Sequence, residues 1–496
     1  MDGQNNKTKA DDVGFLEDVT KMMLRSDIIG NAATIKEKHR VIDFRQPEEL
    51  KKFMDFDVQE EPADRKSLLK FCEDFVRYSL KTSHPLFLSR LYHGVDGYGL
   101  AGAWLSEALN TTQTTYEVAS VFTLLERALL DHLRRLIGWE TGDGIFCPGG
   151  SLANMYGMAL ARYKLFPSVK EKGVRYLPPL VTFVSDEGHY SIVKGQNFLG
   201  MGTETVVRVK TDSLGRMIPG ELEAAILEAK RKGNKPYFVC ATAGTTVLGA
   251  YDPLSPLADV CQRHGLWLHV DAAWGGAAAF SEKHRHLLDG IDRVDSVTWD
   301  LHKMPGVPLQ CSVYLSKHKG MLYGCNGFSA EYLFQPDKYY DVTYDVGDES
   351  IQCGRKVDSL KLWLVWKGRG SRGMEKLVDN AFAMAEYLAD RLRETEGFRL
   401  VLPRFECTNV CFWFVPPCLR GREDSPEFWS KMAKVAPAIK KKMVLEGSLI
   451  IDYHPLGSKS YVNFFRVPLH CTPPPSRSDM DFIVREISRL GNEVVV

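Results

Sequence analysis

No stretch of the chain reaches the ~18 consecutive apolar residues that a membrane-crossing helix needs, so no such helix is expected. An excess of one charge is missing too. Lys and Arg total 63 and Asp and Glu total 63, for a formal net charge of zero. That balance provides no global field to draw the protein to nucleic acid or to an anionic membrane. The eleven cysteines are odd in number, scattered, and mostly set in apolar runs such as Phe238-Val239-Cys240. They do not compose a disulfide framework and fit reduced thiols in a cytoplasmic protein. Residues 1–13 are polar, so neither a signal peptide nor a transit peptide is expected. Internal repeats, low-complexity segments and metal-ligand spacings are also lacking. The basic cluster Lys440-Lys441-Lys442 has no interleaved aromatics and reads as a solvated helix face.

What is present is the composition of an ordinary soluble enzyme: 44% hydrophobic and 25% charged over 496 residues, long enough for two or three units. Residues 1 to about 60 are weakly periodic and read as a loose arm with one or two helices. An amphipathic helix follows over 64–80. From about residue 115, short apolar runs alternate with helical ones. Strands are expected at 144–147, 180–184, 205–209, 237–241, 266–270, 296–299 and 311–315, with helices at 151–165, from about 191, and at 218–232 and 257–264. That alternation predicts an α/β domain with a mostly parallel sheet. After about residue 375 the pattern becomes helix 374–394, strand 410–415, helix 427–445, strand 461–466 and helix 480–490, a smaller α+β domain. The expected division is 1–114, 115–375 and 376–496.

Asp271 closes the apolar run Leu266-Trp267-Leu268-His269-Val270, and Lys303 ends a second such run roughly thirty residues later. Taken singly, the first is a helix cap and the second a surface charge. Taken together, a carboxylate and a lysine at the ends of neighbouring buried strands can hold pyridoxal phosphate. The carboxylate keeps the pyridine nitrogen protonated, and the lysine carries the cofactor covalently. Pro148-Gly149-Gly150-Ser151 lies between a strand and a helix, where glycines and a helix N-terminus suit a phosphate. His189 follows another strand and could stack on a flat ring, and Thr242 ends a further one. All fall just past the C-terminal ends of predicted strands, where open α/β sheets place ligands.

These residues and several longer motifs resemble the group II pyridoxal-phosphate decarboxylases of fold type I, in their acidic-amino-acid branch of glutamate, cysteine sulfinate and aspartate-accepting enzymes. The motifs are Gly142-Asp143-Gly144-Ile145-Phe146 with Pro-Gly-Gly-Ser, His269-Val270-Asp271-Ala272-Ala273-Trp274-Gly275-Gly276, His302-Lys303 and Tyr332-Leu333-Phe334-Gln335. Gln352-Cys353-Gly354-Arg355, Asn409-Val410-Cys411-Phe412-Trp413 and Asn463-Phe464-Phe465-Arg466 continue the series in the same order. The resemblance runs from about residue 70 to the C-terminus. It implies Lys303 as the cofactor lysine, Asp271 at the pyridine nitrogen, His189 and Ala273 on the two ring faces, and Thr242 by the ring substituents. It also implies Gly150 and Ser151 at the phosphate with His302 nearby, Tyr332 as the loop acid that protonates the substrate carbon, and Arg466 at the substrate's distal anion. A homodimer with sites at the interface is implied as well.

Some positions depart from the family pattern. Ser89-Arg90 replaces Asn-Gln, so Arg90 would add a second cation or narrow the pocket. Thr114 replaces an aromatic residue and leaves the pocket wall less filled. Asp300-Leu301 replaces Asn-Pro before His302-Lys303. If Asp300 faces the phosphate, like charges ~4 Å apart would cost on the order of 4 kcal/mol at intermediate dielectric. Asp300 must then turn away, be paired or protonated, or weaken the cofactor's hold. The expected activity is α-decarboxylation of cysteine sulfinate or aspartate, giving hypotaurine or β-alanine. The alternatives are glutamate decarboxylation to γ-aminobutyrate, and a cofactor-binding but catalytically weak partner subunit.

Overall fold

Runs such as Tyr237-Phe238-Val239-Cys240-Ala241, apolar on both faces, form strands only where both faces are covered. The structure, a computed structural model, describes residues 2–26, 28–29, 40–422 and 425–496, with side chains from residue 12 onward. Its strands in chain order are β1 (Phe87–Leu88), β2 (Asp143–Cys147), β3 (Leu180–Ser185), β4 (Val206–Val209), β5 (Lys235–Thr242), β6 (Trp267–Asp271), β7 (Ser296–Asp300), β8 (Ser312–Ser316), β9 (Phe398–Leu400), β10 (Asn409–Phe414), β11 (Ile450–Leu456) and β12 (Tyr461–Pro468).

Seven of these strands form one sheet in the order β2-β8-β7-β6-β5-β3-β4. Pairing is parallel from β7 through β6, β5 and β3 to β4, while β8 runs antiparallel to both β2 and β7. β6, β7 and β8 are buried along their whole length and β5 from its second residue, with helices on the two faces. The fold class is therefore α/β with a mostly parallel sheet, as the alternation predicts. A second sheet, β1-β11-β12-β10-β9, carries its own apolar core. Its edge strand β1 comes from the segment before residue 114 and pairs in parallel with β11. The helix expected from residue 374 begins earlier: Ser359–Glu394 is continuous except for a break at Gly370, whose φ is +68°. No helix among the described residues is long and apolar enough to cross a membrane.

Candidate active site

The register of the parallel strands brings the site together. Thr242 pairs with Asp271 across β5 and β6, and β7 delivers Asp300, with Lys303 three residues on. Facing these strand ends is the helix Gly150–Leu165. Gly149 precedes it with φ +100°, which favours glycine, and provides no side-chain cap. The helix therefore opens onto the strand ends with its first N–H groups free of a side-chain partner.

Asp271 is 6% exposed. Its Oδ1 accepts from the Ala273 N–H at 3.1 Å and its Oδ2 from Asn154 Nδ2 at 2.8 Å. Behind Asn154 a line of hydrogen bonds can be assigned donor by donor. Asn154 Oδ1 lies 3.0 Å from His269 Nε2, so that nitrogen carries the hydrogen. His269 Nδ1 is then the acceptor for the Ser296 hydroxyl at 2.8 Å, and Ser296 Oγ accepts from Trp267 Nε1 at 2.8 Å. Burial pushes the His269 imidazole down to about 4, so it is neutral near pH 7. Every donor in this chain points toward Asp271, an arrangement in which successive bonds polarise one another.

Lys303 Nζ lies 3.0 Å from Asp300 Oδ2. Burial works against charge on Asp300, but the Lys303 ammonium and His302 hold its carboxyl below the ordinary aspartate range. Ser312 Oγ donates to its Oδ1 at 2.6 Å. Asp300 is thus paired rather than turned away, and its carboxylate stays at the start of the helix Gly150–Leu165. His302 is buried with Nε2 3.9 Å from Asp300. His189 is half-buried; burial lowers its imidazole pKa while the field of Asp271 opposes that shift. Ala273 is 6% exposed, and Ser151 is exposed at the start of the helix.

The remaining candidates sit elsewhere. Arg466 on β12 is 3% exposed and donates to the carbonyls of Thr246 and Ser89 at 2.7 and 2.6 Å. Its Nε is buried without a partner. Thr246 belongs to the loop after β5, so this contact joins the second sheet to the cofactor-side strand ends. Asn409 on β10 does the same, accepting from Trp274 Nε1 at 2.6 Å and donating to Thr246 and Val247. Arg90 is exposed, 3.6 Å from Asp452, and does not reach the Asp271–Lys303 cluster by any hydrogen bond among the described residues. Thr114 is buried and bonded to the Cys353 carbonyl at 2.9 Å. Tyr332 stands 82% exposed on its loop.

Sequence reasoning did not single out Asn154, Ser296 or Ser312. Asn154 was accessible through spacing: Gly150, Asn154 and Gly157 lie at i, i+4 and i+7 and form one helix stripe. That stripe faces the strands, because a Cβ on Gly150 would meet Asp300 and one on Gly157 would fall 2.8 Å from His269 Nδ1.

The residues present fit pyridoxal phosphate on observations of this structure. The Thr242 hydroxyl is buried without a hydrogen-bond partner, the helix N-terminus is uncapped, and a lysine and a buried aspartate stand at or just past the ends of adjacent parallel strands. Comparison with known proteins agrees. Residues 47–415 match the pyridoxal-dependent decarboxylase conserved domain, and the chain belongs to that family. It is 51% identical over 457 residues to the cysteine sulfinic acid decarboxylase of Homo sapiens, covering 92% of both chains. It is 50% identical to the acidic amino acid decarboxylase GADL1 of Bos taurus, over 97% of this chain and 91% of that one. A crystal structure of mouse CSAD superposes with a TM-score of 0.93 at 47% identity, covering 98% of this chain and all of the other. The fold is accordingly that of the fold type I pyridoxal-dependent enzymes, and the chain is a carboxy-lyase by family.

Proposed function

We propose that this protein removes the α-carboxylate of a short acidic amino acid, cysteine sulfinate or aspartate, using pyridoxal phosphate. The observation that carries the reading is the set of donors converging on Asp271 beside the Lys303–Asp300 pair, in a chain 51% identical to a cysteine sulfinic acid decarboxylase.

Lys303 would hold the cofactor through Nζ, Asp271 would accept from its ring N–H, and the first N–H groups of the helix at Gly150 and Ser151 would hold the phosphate with His302 nearby. His189 and Ala273 would lie against the ring faces, with Thr242 at its substituents. Once bound, pyridoxal phosphate supplies a conjugated ring that accepts the electron pair left when CO₂ departs. The protein does the rest. Asn154 and the neutral His269 fix the direction in which the Asp271 carboxylate faces. Tyr332 Oη, carried on an exposed loop, delivers the proton that the substrate's α-carbon takes up.

Arg466 would receive the substrate's second anion. Its guanidinium is preset by two carbonyls and keeps one N–H unpartnered in a buried place, where a carboxylate or sulfinate is a strong match. Arg90 and Thr114 would shape the pocket's outer wall. CO₂ released from aspartate, cysteine sulfinate, cysteate and glutamate, each with added cofactor, tests the reading. Turnover of the first two is expected, and turnover of glutamate alone would overturn it.

We also read the working form as a homodimer. Trp104, Leu105, Leu109, Val118, Val121 and Leu124, on the helices Gly97–Leu109 and Tyr116–Leu136, are each between 39% and 66% exposed, more apolar surface than two neighbouring helices usually leave in water. Light scattering should give about twice the 55.9 kDa chain mass. A fully active monomer would rule this out.

A further inference from the structure

Asp300 ends β7 at 2% exposure. Its oxygens lie against Gly150, the first residue of the helix Gly150–Leu165. A Cβ added at Gly150 would fall 2.7 Å from Oδ2 and 2.9 Å from Oδ1. Both oxygens are also engaged as acceptors, Oδ2 by Lys303 Nζ at 3.0 Å and Oδ1 by Ser312 Oγ at 2.6 Å. Ser312 is the register partner of Asp300 across the β7–β8 pair, so the carboxylate is fixed by the sheet itself. With each oxygen accepting, the group is placed to act as an anion rather than as an acid that donates to a neighbour. The chain therefore sets a buried negative charge at the glycine-lined helix start, bonded to the one lysine of the cluster.

We infer that Asp300 competes with the cofactor, with its phosphate for the N-terminus of the helix Gly150–Leu165 and with its aldehyde for Lys303, and thereby sets how readily the protein loads and releases its cofactor. The inference rests on the reading of this site as the seat of pyridoxal phosphate. A phosphate carries close to two negative charges near neutral pH, and bringing it against a fixed carboxylate in a poorly screened site is unfavourable. The lysine must also leave its carboxylate partner to bond the cofactor. Loading is then a displacement, and cofactor retention is lower than the rest of the site would give.

The test is cofactor binding rather than turnover. The cofactor-free protein and its Asp300→Asn variant are titrated with pyridoxal phosphate and, separately, with pyridoxal, which has the same aldehyde but no phosphate. Thermal melts of both cofactor-free proteins check that folding is preserved. Asp300→Asn is expected to tighten pyridoxal phosphate by at least about tenfold and pyridoxal by distinctly less. An equal gain for both ligands, or no gain, overturns the competition while leaving the site reading intact. If neither protein binds pyridoxal phosphate, the site reading falls with it.

Discussion

Asp271 works through its neighbours. Of the two hydrogen bonds to its carboxylate among the described residues, one comes from the adjacent backbone at Ala273 and the other from Asn154. Replacing Asn154 by Leu removes the second and leaves the His269 N–H only the Thr298 hydroxyl, at 3.2 Å, as an acceptor among the described residues. A hydrogen bond to a charged group contributes about 1.5–3 kcal/mol, so kcat should fall about 10- to 100-fold. KM for the substrate should change little, because Asn154 sits behind the Asp271 carboxylate. Steady-state kinetics on the cofactor-loaded variant decide it, and an unchanged kcat would show that Asp271 is positioned by the strand alone. The sequence made Asp271 and Lys303 legible because each terminates its own apolar run. The partners of Asp300 were not legible, because Ser312 reaches it only through the antiparallel register of β7 and β8.

The same division holds for whole elements. β2 to β8 begin and end within two residues of the expected runs, and the central ones, β5 and β6 above all, are legible because burial on both faces leaves a nearly continuous apolar stretch. β1 and β9, two and three residues long, are too short to carry a period, and β11 is broken by Asp452, His454 and Pro455. The helix Gly97–Leu109 is obscured by Gly97, Gly99 and Gly102, residues of poor helix propensity. Packing explains two of them. A Cβ on Gly99 would fall 2.5 Å from Pro308, and one on Gly102 would fall 2.9 Å from the Lys361 backbone, so this helix approaches Ser359–Glu394 closely. Gly157 is used in the same way against His269. Glycine spacing on one helix face thus marks where a helix must come close to a neighbouring element, and at Gly150 and Gly157 it also marks the site.

At the scale of the molecule, the two sheets meet along a seam that holds two buried histidines and a half-buried one. The rings of His93 and His470 lie 5.2 Å apart, and His470 is edge-on to Trp274 at 5.1 Å. His454 on β11 belongs to the same region, close to Arg466 and Arg90. Burial pushes His93 down to about 4, burial together with the field of Arg466 does the same to His454, and burial takes His470 lower still. One ring nitrogen of each is buried without a hydrogen-bond partner, so a proton added there would be poorly received. The sign follows from linkage. These groups are neutral in the folded protein but take up protons in the unfolded chain below about pH 6.5. Their contribution to stability is therefore intact above that pH and is lost as the pH falls toward 4. Each fully buried imidazole, His93 and His269 included, would oppose folding by on the order of 3 kcal/mol at pH 4. Several such groups together rival the whole stability of an ordinary domain, about 5–15 kcal/mol. The urea midpoint should fall steeply between about pH 6.5 and about pH 4.5 and stay flat from about pH 7 to 8. His93→Gln, which keeps a polar side chain but cannot titrate, should flatten part of that slope. A midpoint that holds down to about pH 4.5 would mean that the seam opens to water before its histidines are charged.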